Sequence, residues 1–222
     1  MLAGDADNIK HKSSLALLFI SLSLLPAFVI WNSYQEKRGK PAIIPVSMWR
    51  NTSFTTMCLL ILLTNAVLNS MELFSSLFFQ KVQGLSAVEA SVRILPQVVV
   101  AILFELLSGI LTILQLVNKL PVLLLVQLSS VFCAGSPLLM APIDPAWSYW
   151  YAAFWAQALA PVSIDVLCTA GTLIVAAAYP TETQALGGAV LGTFAQLGAS
   201  IGICILSVIS ASVTAGSHYD DK

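Results

Sequence analysis

Charged side chains are scarce in this sequence. Only 9% of its 222 residues are Asp, Glu, Lys or Arg, whereas a soluble domain usually carries about 25%. So little charge cannot keep the surface of a water-soluble domain hydrated, which argues against a soluble enzyme and against a disordered chain. The formal net charge of -1 offers no basic excess to neutralise phosphates, and this excludes nucleic acid as a main partner.

Residues that carry catalysis or bind metals are equally sparse. The two histidines, His11 and His218, fall in polar tails, so the apolar interior lacks the usual general base and metal ligand. The sequence has no Gly-rich phosphate loop, no Ser-His-Asp set and no metal-binding spacing, and we expect no enzymatic activity, metal or cofactor. The cysteines lie far apart in separate apolar stretches, where we interpret them as packing residues: Cys58, Cys133, Cys168 and Cys204.

Long hydrophobic runs are what the sequence has in abundance. Hydrophobic residues make up 58% of the chain, and about 18 consecutive apolar residues are enough to cross a bilayer as a helix. The runs predict an all-α polytopic membrane protein with six transmembrane helices. The predicted spans are 14–31, 53–79, 94–116, 119–141, 148–178 and 184–213.

Basic residues indicate how the chain is oriented in the membrane. The loop at 32–52 holds a basic cluster, and since loops rich in Lys and Arg stay in the cytoplasm, we place this loop there. The polar tails at 1–13 and 214–222 then lie on the other side. Aromatic residues that open the fifth span fit an aromatic belt at that outer interface. The basic cluster is Lys37, Arg38, Lys40 and Arg50, and the aromatic residues are Trp147, Tyr149, Trp150 and Tyr151.

Three acidic residues fall inside predicted spans, Glu72, Glu105 and Asp165. A charged side chain near the centre of a transmembrane helix costs about 2.5 to 3.5 kcal/mol. We therefore expect all three to face the bundle interior or water. A carboxyl in such a position can exchange a proton when a cavity opens to either side, which is what proton-coupled movement requires.

The second span carries a polar stripe on an otherwise apolar helix. At about 100° per residue, five polar side chains fall within a sector of about 80°. We interpret this stripe as the lining of a polar pathway, and hydrogen bonds that hold helices together are the alternative. The five residues are Asn65, Asn69, Glu72, Ser76 and Gln80.

The fifth span has a polar face as well, about 80° wide, on which Asp165 lies with Gln157 and Thr172. A pathway lining and a structural role are equally compatible with this face. The same two alternatives, a pathway lining and a structural role, apply to Glu105, because a buried acid can also bond to a neighbouring helix.

The sixth span contains two G-x-x-x-G pairs, Gly188 with Gly192 and Gly198 with Gly202. Small residues at this spacing let the backbone of another helix approach closely. We expect packing inside one bundle, and dimerisation through the motif is the alternative.

Three passages of the sequence carry a family pattern. The first is 78–86, Phe-Phe-Gln-Lys-Val-Gln-Gly-Leu-Ser, followed by Ala90, Arg93 and Leu95-Pro96. The second is 40–51, Lys-Pro-Ala-Ile-Ile-Pro-Val-Ser-Met-Trp-Arg-Asn, and the third and most specific is 179–190, Tyr-Pro-Thr-Glu-Thr-Gln-Ala-Leu-Gly-Gly-Ala-Val, followed by Gln196-Leu-Gly198. Together they resemble the major facilitator superfamily, and they are similar in particular to the fungal fourteen-span drug:proton antiporters. The resemblance covers about residues 14–213.

The resemblance implies that the first span, 14–31, is one of the family's linker-type central helices. It implies that 53–213 is a five-helix part of the carboxyl-terminal bundle. The function implied is export of a drug or other small molecule coupled to protons, by two bundles that rock about a midplane site in the lipid bilayer. Asn65, Asn69 and Glu72 would then line the substrate path, and Asp165 would be a secondary lining or proton site.

The sequence also departs from the family pattern. The amino-terminal six-helix bundle and a last span are absent, so we expect a fragment that needs a separate amino-terminal half. The loop at 109–120 offers only Lys119 in place of the family's acidic and arginine pair. The alternative is a non-transporting, truncated or regulatory membrane protein that pairs with another half-transporter through the sixth span.

The orientation makes a testable prediction. Asn51-Thr52-Ser53 matches the N-glycosylation sequon, yet the basic loop places it in the cytoplasm, where glycans are not added. Expressed in eukaryotic cells, the protein and its Asn51→Gln variant should migrate identically on a gel, before and after glycosidase treatment. A glycosidase-sensitive shift that Asn51→Gln abolishes would reverse the orientation.

Overall fold

Helices make up almost all of the regular structure. The computed structural model describes residues 12–38, 44–113 and 121–216, and these ranges contain no strand. A π-helical turn, Phe78–Val82, extends the third helix. The helices are α1 (Lys12–Lys37), α2 (Val46–Trp49), α3 (Thr52–Leu77), α4 (Ala87–Ile113), α5 (Val122–Met140), α6 (Ala153–Ala178) and α7 (Thr181–Gly216).

Five helices within the described ranges are long and apolar enough to cross a membrane. They correspond to the second through sixth predicted spans, and the first predicted span, 14–31, falls within α1. The prediction of an all-α polytopic protein is confirmed, and the chain is an integral multi-pass membrane protein. The five helical spans are Thr52–Val82, Ala87–Ile110, Val122–Met140, Ala153–Ala178 and Thr181–Val213.

The described residues divide into two compact units. The first comprises the described parts of Met1–Thr55 and Cys204–Lys222, and the second is Thr56–Ile203. In the first unit, the side-chain amide of Asn32 donates to the Ile44 carbonyl, and the Ile44 N–H donates back to Asn32 Oδ1 at 3.4 Å. The segment predicted as a loop, 32–52, contains the last residues of α1 and the whole of the short helix α2.

The start of α4 lies earlier than the sequence predicts, at Ala87 rather than residue 94. Ser86 and Glu89 form a capping box: the Ser86 N–H and hydroxyl donate to Glu89 Oε2 at 2.9 and 2.8 Å, and the Glu89 N–H donates to Ser86 Oγ at 3.3 Å. Counting apolar residues missed this turn because it contains the charged residues Glu89 and Arg93. Before it, Gly84 adopts a φ of 66°, which favours glycine and makes the turn between α3 and α4.

The start of α6 differs in the opposite sense, because the aromatic residues at 147–151 form a turn and the helix begins only at Ala153. The predicted span 148–178 is therefore too long by five residues at its amino end. The predicted span included the aromatic side chains at 147–151 because they are apolar, although they lie before the helix begins. The next helix, α7, begins at Thr181 rather than residue 184, directly after Pro180. Pro forces the extended backbone seen at Tyr179, which separates α6 from α7.

The helix α6 is central in the second unit, because α4 and α5 both pack along it. Two hydroxyls join α5 to α6: Ser129 donates to the Ser163 carbonyl and Ser136 donates to the Ala156 carbonyl, each at 2.7 Å. All of these side chains are buried. Interhelical hydrogen bonds of this kind and close packing hold helices together in a bilayer, where apolar burial against lipid contributes little.

The helix α7 packs closely on α3 through two glycines. A Cβ at Gly198 would overlap the carbonyl group of Leu62, and one at Gly202 would overlap that of Ala66 and lie 2.6 Å from the Ala66 Cα. Gly188 is different, because a Cβ there would meet no atom within 4 Å, and the same holds for Gly192. The two G-x-x-x-G pairs thus have different surroundings in the fold.

This difference predicts opposite effects of the same substitution. Gly198→Ala should lower the free energy of unfolding by about 1 to 3 kcal/mol, because α7 must move away from the α3 backbone. Gly188→Ala should leave it unchanged or raise it by up to about 1 kcal/mol, because Ala favours helix. Denaturant unfolding of the purified chain in detergent micelles measures both. Equal effects at the two positions would contradict the packing described here.

Candidate polar pathway

The predicted stripe lies on one flank of α3, beside the deeply buried side, and its other edge adjoins Leu62 and Ala66, against which α7 packs. The centre of the buried side, which includes Ile61, Leu68 and Ser75, is rotated by about 90° from the centre of the stripe. Large apolar side chains such as Leu63 occupy the exposed side. The stripe therefore borders the bundle and is neither sealed inside it nor directed wholly at lipid.

The two asparagines of the stripe bond to their own helix. The Asn65 amide donates to the Ile61 carbonyl and the Asn69 amide donates to the Asn65 carbonyl, both at 2.9 Å. Gln80 likewise donates to Ser76 Oγ at 2.9 Å, one turn away. Each of these bonds uses one of the two N–H donors of the amide, and no hydrogen bond to the side-chain oxygens of the two asparagines is seen among the described residues.

Glu72 connects the stripe to a second helix. Its carboxylate is exposed, and Gln97 of α4 donates to Glu72 Oε2 at 3.5 Å. Gln97 and Glu105 lie on the same helix, α4, and the side chain of Gln97 contacts α3. The Glu72–Gln97 contact shows that the polar residues of α3 and α4 face one another at this level.

Asp165 and Glu105 form the second polar group. Asp165 is half-buried on α6, and Glu105 on the neighbouring α4 is close enough for its charge to act on Asp165. Among the described residues, Asp165 Oδ2 is buried and has no hydrogen-bond partner. Glu105 thus lies on the helix that packs along the helix of Asp165, whereas Glu72 contacts Gln97.

Three further side chains have buried polar atoms without a hydrogen-bond partner in the described part of the chain: Ser75 Oγ, Gln97 Oε1 and both amide atoms of Gln157. Gln157 is completely buried on α6, and Ser75 is 1% exposed on α3. The sequence placed Gln157 on the polar face of α6 but did not distinguish Ser75. Serine is common in membrane helices, so only the packing of α3 against its neighbours identifies this one.

Metal binding has no support in the described ranges, where no group of three His, Cys, Asp or Glu side chains could hold an ion. The polar groups that are present are carboxyls, amides and hydroxyls. Such groups can bind a polar molecule through hydrogen bonds, and the carboxyls can also accept a proton.

Three curated proteins match the chain along most of its length. It is 36% identical over 214 residues to "MFS-type transporter 1" of Pyricularia oryzae, which covers 96% of this chain and 34% of that protein. It is 30% identical to the "Methylenomycin A resistance protein" of Bacillus subtilis, over 94% of this chain and 44% of that protein. It is 24% identical to the "Tetracenomycin C resistance and export protein" of Streptomyces glaucescens, over 85% and 34%. No protein-family model and no solved structure matches the chain.

The matched proteins are named for transport, export or antibiotic resistance, and none of the three names describes an enzyme. With the helical architecture described above, these matches define a multi-pass membrane protein that is similar to part of known transporters. The chain belongs to the major facilitator superfamily. It spans 34% to 44% of the length of these relatives.

The unpartnered amide of Gln157 generates a stability prediction. Burying an amide without a partner is unfavourable, so Gln157→Leu should raise the free energy of unfolding by about 1 to 3 kcal/mol. As the matched control, Ser136→Ala removes a buried hydroxyl that is bonded to the Ala156 carbonyl and should lower it by about 0.5 to 1.5 kcal/mol. Denaturant unfolding in micelles measures both variants. Destabilisation by Gln157→Leu would mean that the amide does have a partner in the folded protein.

Proposed function

We propose that this chain forms part of an exporter that couples the outward movement of a small organic molecule to protons. Asp165 is the proton site in this proposal, and Glu105 acts on it from the neighbouring helix. The observation that carries the proposal is the carboxylate of Asp165, which has a buried oxygen without a hydrogen-bond partner among the described residues and lies on a helix that packs against the helix of Glu105.

A carboxylate pair across two helices provides a link between protonation and movement. The repulsion between Glu105 and Asp165 exists only when both are charged, so adding one proton removes it. A conformation that holds α4 close to α6 is then favoured by protonation, and one that separates them is favoured by its loss. Two states with different proton affinities are what coupling to a proton gradient requires.

The polar stripe of α3 supplies the path for the substrate. Among the described residues, the amide oxygens of Asn65 and Asn69 accept no hydrogen bond. Glu72 and Gln97 meet at the junction of α3 and α4, where the Glu72 carboxylate and the Gln97 amide oxygen can both accept hydrogen bonds. Ser76 and Gln80 continue the same stripe toward the end of the helix. Two relatives are named for antibiotics, and we extend this to the present chain as an organic, antibiotic-like substrate.

In the proposed cycle, this chain contributes helices of one bundle, and a second bundle closes the site from the other side. Rocking between the two bundles then exposes the stripe alternately to each face of the membrane. The chain's own contribution is to hold the substrate along α3 and the proton at α6.

A chimera tests the proposal. The matched segment of the methylenomycin A resistance protein is replaced by this chain, and methylenomycin A resistance is measured in Bacillus together with the amount of chimera in the membrane. Asp165→Asn should lower resistance by at least about tenfold, because the proton site must change its charge in every cycle. Glu182→Gln, which removes an exposed acid in the first turn of α7, is the matched control and should leave resistance unchanged.

Proton coupling is separated from substrate binding in proteoliposomes that contain the same chimera. Asp165→Asn should abolish the proton flux that substrate addition evokes, while substrate still moves down its own gradient. Glu72→Gln should weaken both fluxes together. Full resistance and full proton flux in Asp165→Asn would show that this carboxyl takes no part in coupling.

A further inference from the structure

A cleft lies where α3 ends, α4 begins and α5 connects to α6. Its volume is about 590 Å³. The π-helical end of α3 and the turn after it form one wall, Arg93 of α4 lies at the base, and the turn before α6 forms the other wall. None of the residues of this cleft belongs to the polar pathway described above. The residues that matter for its chemistry are Gln83, Arg93, Trp147, Tyr149 and Trp150.

The base of the cleft is a fixed positive charge. The Arg93 guanidinium donates through Nη1 to Gln83 Oε1 and lies over two rings, 5.7 Å from the centroid of Phe79 and 5.5 Å from that of Tyr149. The Tyr149 hydroxyl donates to the Arg93 carbonyl at 2.7 Å. Burial raises the pKa of Tyr149, against the opposing effect of the Arg93 charge, so the phenol stays protonated and keeps this bond.

This charge has one acidic neighbour in the described part of the chain, Glu89, which lies one helical turn earlier and interacts with it electrostatically. Arg93 forms no ion pair there, and it is the only charged residue that lines the cleft. The two acids that lie closest in sequence to residues of the cleft lining also accept backbone N–H groups: Glu89 caps α4 through Ser86, and Asp144 accepts the Ala146 N–H at 2.8 Å. One Nη of Arg93 is bonded to Gln83 and the guanidinium lies against the rings of Phe79 and Tyr149, while the remaining donors of the fork are available to an anion.

The rim of the cleft is aromatic and exposed. Trp147 is 43% exposed and Trp150 is 67% exposed, and edge-to-face contacts hold them: Trp147 on Tyr151 with centroids 5.0 Å apart, and Trp150 on Tyr149 at 5.4 Å. Exposed indole rings at the ends of membrane spans are typical of the layer where lipid headgroups meet acyl chains. The cleft therefore combines an anion site with a surface that contacts the apolar part of the same molecule.

We propose that this cleft binds an acidic phospholipid, with the phosphate on Arg93 and the upper acyl chain against Trp147 and Trp150. The chemistry on Arg93 is shared with free phosphate, but only a lipid also uses the aromatic rim. The site is separate from the substrate and proton sites and does not depend on their assignment.

The experiment uses the full chain in phosphatidylcholine vesicles and measures quenching of tryptophan fluorescence by lipids with brominated acyl chains. Brominated phosphatidylglycerol should quench at concentrations about tenfold lower than brominated phosphatidylcholine, the difference expected of about one charge-assisted contact. Arg93→Gln should abolish this preference. Lys81→Gln, which removes an exposed positive charge from the same end of the bundle but not from the cleft lining, is the matched control and should retain it.

A second variant localises the site without altering Arg93. Replacing both cleft tryptophans, Trp147→Phe with Trp150→Phe, should remove the preferential quenching while the other tryptophans still respond to both lipids. This variant tests the proposal even if Arg93→Gln fails to fold.

Three results would overturn the proposal. The first is an unchanged preference in Arg93→Gln, and the second is an equal loss in Lys81→Gln, which would indicate diffuse surface charge. The third is complete displacement of the lipid by millimolar inorganic phosphate, which would indicate a site for a free anion in which the aromatic rim has no part.

Discussion

The lack of water in the hydrocarbon layer is the constraint on which the rest of this structure depends. Polar groups there must find partners within the protein, and apolar side chains gain little by leaving lipid for another helix. The contacts that hold the second unit together are of the kinds that still work under this constraint. Hydroxyls of α5 donate to carbonyls of α6, and glycines of α7 lie against the backbone of α3.

The same constraint makes the exceptions informative. Asn65 and Asn69 each donate one hydrogen bond to a carbonyl of their own helix. Gln157 and Asp165 have no such bonds within the described residues, and both lie on α6, the helix on which α4 and α5 pack. Two of the four described side chains with unpartnered buried polar atoms therefore lie on the central helix. A substrate or proton that binds there can bond to polar atoms of Gln157 and Asp165 that have no partner within the described residues.

The sequence predicted the membrane spans well because bilayer thickness sets a minimum apolar length, and that length can be counted residue by residue. It predicted helix ends poorly. The capping box of Ser86 and Glu89 begins α4 within a stretch that contains charges, and the rings near Trp150 count as apolar although they form a turn. Both errors arise because helix ends depend on local hydrogen bonds rather than on hydropathy.

The candidate site could be predicted only within single helices. An angle of about 100° per residue places Asn65, Glu72 and Gln80 on one stripe, whatever surrounds the helix. Which residues meet across helices depends on the height and rotation at which those helices pack. The pairing of Glu72 with Gln97, and of Asp165 with Glu105, therefore became visible only in the fold.

The contact of α7 with α3 has a mechanical consequence. Most helix interfaces can absorb a small displacement, because side chains change rotamer and fill the space that opens. At Gly198 and Gly202 the facing atoms belong to the main chain of Leu62 and Ala66, which has no rotamers to change. The two helices can therefore keep their register or slide past one another as rigid bodies, but side-chain rearrangement at this contact cannot accommodate a small displacement. Leu62 and Ala66 adjoin the polar stripe, so any such slide would be transmitted at once to Asn65 and Asn69.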